Sequence, residues 1–345
     1  MIIGDIDQTM KSDGVYIYSF VAESVNPLML VECSSDLFFR CENNKLSWLQ
    51  MDKISRFCVS RTKDDGELFD SIDDFLANPP KGFDIKLDYK YKIIERKSNH
   101  NIGEYYKNIY RPVISYKLQS PHLIIDDQPL PDCDDDISIW GEYKNEYSGH
   151  IRQLELILDE LKSVFKVVEP TQENLQTYGN TIRNIIILSC TEIDAMMKKI
   201  LKNNGINLKD KEYTTQQYFQ LKEALRLGEY ELQFNEFEQL GRFSPFSEWE
   251  SDRPTQSLPW YDSYNKIKHD REAYFQYANV GNALISIAAY AILLIAQYGY
   301  SNSIWKEHVQ KFFSIIHTPR WNLEDYYVPH NILNSLKKTP IDYPF

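Results

Sequence analysis

Glycine is scarce in this chain, at 13 residues in 345, about half the usual ~7%. Loops that cradle phosphate need glycine so that the backbone can approach the ligand. Neither G-x-x-x-x-G-K-[ST] nor G-x-G-x-x-G occurs, which excludes Walker-type NTPases and simple dinucleotide-binding enzymes. Positive charge is short as well: 38 Lys and Arg face 50 Asp and Glu, a formal net charge of −12. That balance excludes a protein that binds nucleic acid with its whole surface, so any such contact has to come from a local patch. The five cysteines, Cys33, Cys41, Cys58, Cys133 and Cys190, are odd in number and form no C-x-x-C pair. Neither a zinc site nor a disulfide framework is expected, and no cofactor is implied. The start, MIIGDIDQTM, has no basic stretch followed by an apolar one. No signal peptide is expected, and with thiols that need no pairing this points to the cytoplasm.

What is present describes a folded protein. Hydrophobic residues make up 43% and charged residues 26%, Tyr (24) and Phe (17) are abundant, and the length suggests two domains of ~100–200 residues each. From Ala273 to Trp305 there is no charged residue, a run that approaches the ~20 residues of a membrane span. Gln276, Asn279, Asn282, Ser286 and Gln297 interrupt it, and the chain offers no second span. The expectation is therefore a buried central helix of a bundle, with no membrane partner favoured.

The pattern predicts an α+β chain, with a β-rich domain over residues 1–140 and a helical domain over 141–345. In the first part, Ile85, Leu87, Tyr89, Tyr91 and Ile93 alternate with Lys86, Asp88, Lys90 and Lys92, which reads as a strand with one buried and one basic face. Further strands are expected at Val15–Val21, Leu28–Cys33, Leu37–Cys41, Lys45–Gln50, Ser55–Val59 and Tyr110–Leu118, with a helix at Leu68–Ala77 ended by Pro79 and Pro80. The acidic, proline-bearing stretch Asp126–Asp136 reads as the boundary loop. Beyond it the period changes to about 3.6. Helices are expected from Ser148 to Phe165, from Thr171 to Asn203, from a Thr214/Gln217 capping box to Leu227, from Trp260 onward, and over Ile304–Ile316.

The most unusual segment is Pro259 to Arg271 (PWYDSYNKIKHDR), which gathers Lys266, Lys268, His269 and Arg271 in an acidic protein. A histidine near its reference pKa of ~6.5 can take or give a proton at neutral pH, and neighbouring Lys and Arg can hold a phosphate. Asn265 lies one helical turn before His269 and can orient the imidazole or bond a substrate. A structural alternative is that Asn265 and His269 only fix the start of a buried helix.

Two stretches, Ile182–Asp194 (IRNIIILSCTEID) and Tyr264–Arg271 (YNKIKHDR), followed by the long apolar run, resemble the HEPN superfamily of prokaryotic helical bundles. Residues 244–249 (SPFSEW), 259–261 (PWY) and 319–321 (PRW), with Tyr326 and Pro329, resemble features of bacterial proteins that carry such a bundle; the likeness spans roughly residues 148–330. Many members are metal-independent endoribonucleases of phage-defence and toxin–antitoxin systems. Their motif is an Arg, often followed by Asn, then a few residues and a His, brought into one composite cleft by homodimerisation. Asn265 matches the second position and His269 the histidine, whereas Tyr264 stands at the arginine, and a phenol carries no positive charge at neutral pH.

The resemblance implies RNA as a substrate, with His269 as general acid or base and Asn265 beside it. Arg271 and Lys268 would stabilise charge on the phosphorus, and Lys266, Tyr264 and Arg183 would contact the strand. Glu192 and Asp194 would orient those cations. The alternative is a non-catalytic HEPN-like interaction subunit that meets its partner through the β-rich domain, as a homodimer or within a defence complex.

Three lesser patterns stand beside this one. Glu95-Arg96-Lys97 has the E-x-K spacing of metal-dependent nucleases, without a clear Asp partner. Asp132, Asp134, Asp135 and Asp136 lack the glycine and terminal glutamate of an EF-hand loop and read as a solvated linker. Lys86, Lys90 and Lys92 form a basic stripe of the kind that keeps an edge strand soluble.

Overall fold

The computed structural model describes residues 11–22, 35–51, 58–80, 83, 91–114, 143–208, 212–300, 303–329 and 338–345. The chain is α+β, with an antiparallel sheet toward the N terminus and helices in the C-terminal half. It divides into two units: Met1–Tyr105 with Arg111–Cys133 and Trp321–Pro340, and Tyr106–Tyr110 with Asp134–Arg320 and Ile341–Phe345.

Among the described residues, the sheet of the first unit has five strands, β1 (Gly14–Ala22), β2 (Ser35–Glu42), β3 (Lys45–Met51), β4 (Cys58–Arg61) and β5 (Tyr91–Lys97), in the order β4-β3-β2-β1-β5. The β2–β3 hairpin turns on Asn43 and Asn44, both at positive φ (50° and 59°). A two-residue turn that matches the twist of its strands needs that conformation, and asparagine tolerates it. Alternation places Tyr16, Tyr18 and Phe20 on one face of β1 and Val15 and Ile17 on the other. Both faces are covered. Helix α1 (Ile72–Ala77), capped by Ser71 accepting from the Asp74 N–H, brings Phe75 against Phe39, Phe69 and Phe83 at centroid distances of 4.8–5.0 Å on the first face. Ile114 and Val328 cover the second.

Several sequence expectations change here. Tyr110 to Ile114 forms no strand; Pro112 cannot donate to a ladder, and Val113 makes only an isolated parallel bridge to Tyr327. The expected strand Leu28–Cys33, most of Ile85–Ile93, part of Ser55–Val59 and the acidic stretch Asp126–Asp136 lie outside the described residues.

The second unit is helical. Helix α2 (Lys144–Phe165) begins a turn before Ser148, whose hydroxyl donates to the Lys144 carbonyl at 2.8 Å instead of capping. Helix α3 (Asn180–Asn203) starts well after Thr171, because the preceding segment is taken by a tertiary bridge. The Gly179 N–H donates to the Ala278 carbonyl and the Val280 N–H to the Thr177 carbonyl. The capping box is present, with the Thr214 N–H donating to Gln217 Oε1 at 2.9 Å, but its helix breaks at Phe219 into α4 (Thr215–Tyr218) and α5 (Gln220–Ala224). Helix α6 (Pro259–His269) has proline in its first turn, where the missing N–H costs nothing. Asp270 leaves helical geometry and caps α7 (Arg271–Tyr274) by accepting the Ala273 N–H at 3.0 Å.

The uncharged run becomes α8 (Val280–Tyr298), capped by Asn279 and ended by Gly299 at φ 74°. It packs on α2, α3 and α6, and 83% of its most apolar window is buried inside the protein. The expected helix Ile304–Ile316 is half right: α9 covers Ser303–His308, and Phe313–His317 is strand β8. That strand pairs with β6 (Glu231–Phe234), which also pairs with β7 (Arg242–Phe243). The β-branched pair Ile315 and Ile316 fits a strand once a partner edge exists.

Candidate functional site

The face of α6 that carries Tyr261, Tyr264 and Lys268 meets Asp194 of α3. The i, i+3 and i+7 spacing stacks these three side chains on one helix face. Tyr261 donates to Asp194 Oδ1 at 2.5 Å and Tyr264 to Oδ2 at 3.3 Å, and Lys268 Nζ donates to the Tyr264 hydroxyl at 2.9 Å. Tyr218 closes the group with a 3.5 Å bond to the Asp194 carbonyl. Burial pushes the Asp194 carboxyl above its usual range, against the bonds from Tyr261 and Tyr264 and the charge of Lys268. Burial likewise raises Tyr264, while the bond with that phenol raises Lys268 against a smaller desolvation effect. The result is an ammonium, a phenol and a carboxylate in series, with Tyr264 1% exposed at its centre.

Tyr264 is therefore a tie between helices and offers nothing to a strand in solution, a correction to its expected place among the substrate contacts. The rest of the segment emerges at the C-terminal end of α6. His269 and Arg271 are exposed, Asn265 is half-buried, and Lys268 projects outward past Tyr264. Lys266 is paired with Asp262 at 2.6 Å on the same helix. Arg271 donates to Asn180 Oδ1 at 2.9 Å. Arg183 donates from Nη2 to the Ile267 carbonyl at 3.2 Å, satisfying one of the open carbonyls that end α6, while its buried Nε has no partner among the described residues. The segment thus brings Arg183, Lys266, Lys268, His269 and Arg271 to one helix end, with most of the cations already engaged.

Glu192 does not join them. Two residues from Asp194 on a helix, it faces away by about 200°. Its Oε2 lies 3.5 Å from His150 Nδ1, in a second polar row between α2, α3 and α8. On the other side of the ring, His150 Nε2 is 3.8 Å from Glu146, which also accepts from Tyr298 at 3.0 Å and is ion-paired with Lys199. Tyr290 donates to the His150 carbonyl at 3.0 Å. Burial would raise the Glu146 carboxyl, but His150, Lys199 and Tyr298 together outweigh it and bring it down to about 2. The sequence held one signal for this row, the i, i+4 spacing of Glu146 and His150; Glu192 joins only through the fold.

The rival nuclease pattern is occupied otherwise. Glu95 accepts from Lys11 at 2.6 Å and Lys97 donates to Ser12 at 2.7 Å. No group of three His, Cys, Asp or Glu residues fit to hold a metal occurs among the described residues. Lys92 is exposed on β5; Lys86, Lys90, Asp132, Asp134, Asp135 and Asp136 lie outside the described residues. Comparison with protein-family models, curated proteins and solved structures returns no match. The chemistry of the site itself carries the functional reading.

Proposed function

We propose that the second unit is a HEPN-like bundle that binds without cleaving RNA, an interaction subunit of the kind found in phage-defence and toxin–antitoxin systems. The observation that carries this reading is the place of Tyr264. A cleaving centre needs a cation at that position to meet the scissile phosphate, and here a buried neutral phenol is spent on Asp194 and Lys268. Two other cations are already engaged, Lys266 in an ion pair with Asp262 and Arg271 in a hydrogen bond to Asn180. In this reading the β-rich unit recognises the partner, and the protein works as a homodimer or within a defence complex.

A second reading, metal-independent RNA cleavage, is favoured by one feature: His269 is exposed beside Lys268 and Arg271. One assay separates the two. The full-length protein is incubated with a labelled RNA in EDTA, alone and with the products of its neighbouring genes. The expected result is intact RNA under every condition. Cleavage that persists in EDTA and disappears in His269→Ala would establish the ribonuclease instead.

A further inference from the structure

The three-stranded sheet of the second unit runs β7-β6-β8, so β8 has β6 on one side and no strand on the other among the described residues. Register decides which of its backbone groups are open. Phe234 stands opposite Phe313 and Gln233 opposite Ser314, and just before them the Asn235 N–H donates to the Phe312 carbonyl at 2.9 Å. Opposed residues of an antiparallel ladder alternate between bonded and non-bonded pairs, so Ser314 bonds β6 while the N–H and C=O of Phe313 and Ile315 point the other way. Those four groups have no hydrogen-bond partner among the described residues. Ile316 is the extra residue of a bulge, which ends the regular ladder. Edge strands are usually protected by being very short or by carrying lysine or proline. Strand β7 is two residues long, whereas β8 has five (FSIIH) and contains neither residue. Ser314 and His317 are exposed, and Ile315 and Ile316 half-buried. The flanks are cationic. Lys311 before the strand and Arg320 after it are exposed, and neither is in an ion pair among the described residues. Lys311 Nζ lies 4.9 Å from the Phe312 ring centre, which supports its stem and leaves its charge in water. The single carboxylate of the three strands, Glu231, is already met by His317 at 3.4 Å and Arg242 at 3.6 Å.

We propose that β8 takes up an added strand: an extended acidic segment of a partner protein, whose main chain bonds Phe313 and Ile315 and whose carboxylates meet Lys311 and Arg320. The open backbone groups select an extended chain, since a helix has its own backbone satisfied and would leave them unbonded. The two cations select acid. Phe313 is buried and Ser314 exposed, so successive positions of an added strand meet an apolar and a wet face in turn, and the segment alternates apolar with acidic residues. A second copy of this chain fits less well, because antiparallel pairing of two β8 strands would bring the Lys311 end of one to the Arg320 end of the other. Strand addition here goes beyond the non-cleaving reading, which places recognition on the β-rich unit, and it neither requires nor forbids scission.

The test uses the full-length protein and short fluorescent peptides: one alternating valine with glutamate, the same with lysine in place of glutamate, and the first N-methylated along its backbone. The acidic peptide is expected to bind, and the other two to bind about tenfold more weakly or worse. Ile315→Pro removes an outward N–H without touching the β6 ladder and should cost about tenfold or more. Lys311→Glu should cost about fivefold or more. Lys144→Glu is the control within about twofold, because it makes the same charge change roughly 27 Å along α2 from Lys162, whose Nζ lies over Phe312. A thermal melt of each variant separates lost binding from lost folding. Hydrogen exchange should find the Phe313 and Ile315 amides fast and the Ser314 amide slow in the free protein, and all three slow with the acidic peptide bound; this readout decides even where Ile315→Pro does not fold. The proposal is overturned if the acidic peptide does not bind, if the lysine peptide binds as well, if folded Ile315→Pro binds like the parent, or if Phe313 and Ile315 are already protected in dilute free protein. Protection that grows with protein concentration and no peptide would make a second copy the occupant, and would overturn it too.

Discussion

Asp194 and Glu146 are two carboxylates of one helical unit, both partly buried and both bonded by phenols, yet their acidities move in opposite directions. Asp194 is raised by burial, which its two phenol donors and Lys268 reduce without reversing. Glu146 is less deeply buried, and its burial penalty is outweighed by the bonds from His150, Lys199 and Tyr298 and the charge of Lys199, which pull it down to about 2. What separates them is the deeper burial of Asp194 together with the partner's charge and its distance. Lys268 reaches Asp194 only through the Tyr264 hydroxyl, whereas Lys199 forms an ion pair with Glu146. A hydrogen bond from a neutral donor satisfies a carboxylate; a cation in contact fixes its ionisation.

The sharpest way to break this contrast is at Asp194. Asp194→Ala leaves the Tyr261 and Tyr264 hydroxyls without their acceptor, and should cost about 2–4 kcal/mol of unfolding free energy in a urea titration. Asp194→Asn keeps an acceptor oxygen without the buried charge, so it should change stability by less than about 1 kcal/mol at neutral pH. Equal losses in the two variants would show that the charge, and not the acceptor, holds α3 to α6.

The next effect is smaller and depends on pH. The folded pKa of Glu146 lies below the ordinary carboxylate value, so its contribution is present above about pH 4.5 and is lost as pH falls toward about 2. Its side chain is 22% exposed, and solvent screening reduces the contribution to about 1–2 kcal/mol. Glu146→Gln should lose that amount at pH 7 and show a flatter acid limb. Asp194 has the opposite sign. With its folded pKa raised, its contribution is greatest below the unfolded value of about 3.8 and is lost as pH rises through the folded value. Asp194→Asn should therefore remove a stabilisation at acid pH while leaving the Glu146 limb in place. An unchanged acid limb in Glu146→Gln would mean that other carboxylates carry it.

The local half of this architecture was readable from the chain. The apolar spacing of Ile151, Leu154, Leu158 and Leu161, the capping box at Thr214 and the charge-free run that becomes α8 each act within a few residues, so each leaves a pattern in sequence. The meeting of Asp194 with Tyr264 spans seventy positions and leaves none; only the packing of α3 on α6 shows why a tyrosine sits at the motif position. The same holds for β8, whose partner edge lies some eighty residues earlier, and for Tyr178, which an isolated bridge joins to Asn279 about a hundred residues later. His269 could be singled out by sequence, but the prior engagement of its neighbours could not.

The smallest effect tests whether the ammonium at Tyr264 matters to the fold at all. Lys268 is exposed, its stem leans on the Tyr264 ring with Nζ 5.0 Å from the centre, and its charge stays largely in water. Lys268→Met preserves the stem and removes the charge, so the loss should stay under about 1 kcal/mol. The charge is also one of the influences that lower the pKa of Asp194, so in Lys268→Met the Asp194 carboxyl should titrate at still higher pH. Carboxyl chemical shifts followed through an acid titration would read this directly. An Asp194 titration unmoved by the substitution would mean that the two phenols alone set the state of the carboxylate, and that Lys268 is free to serve whatever binds at the end of α6.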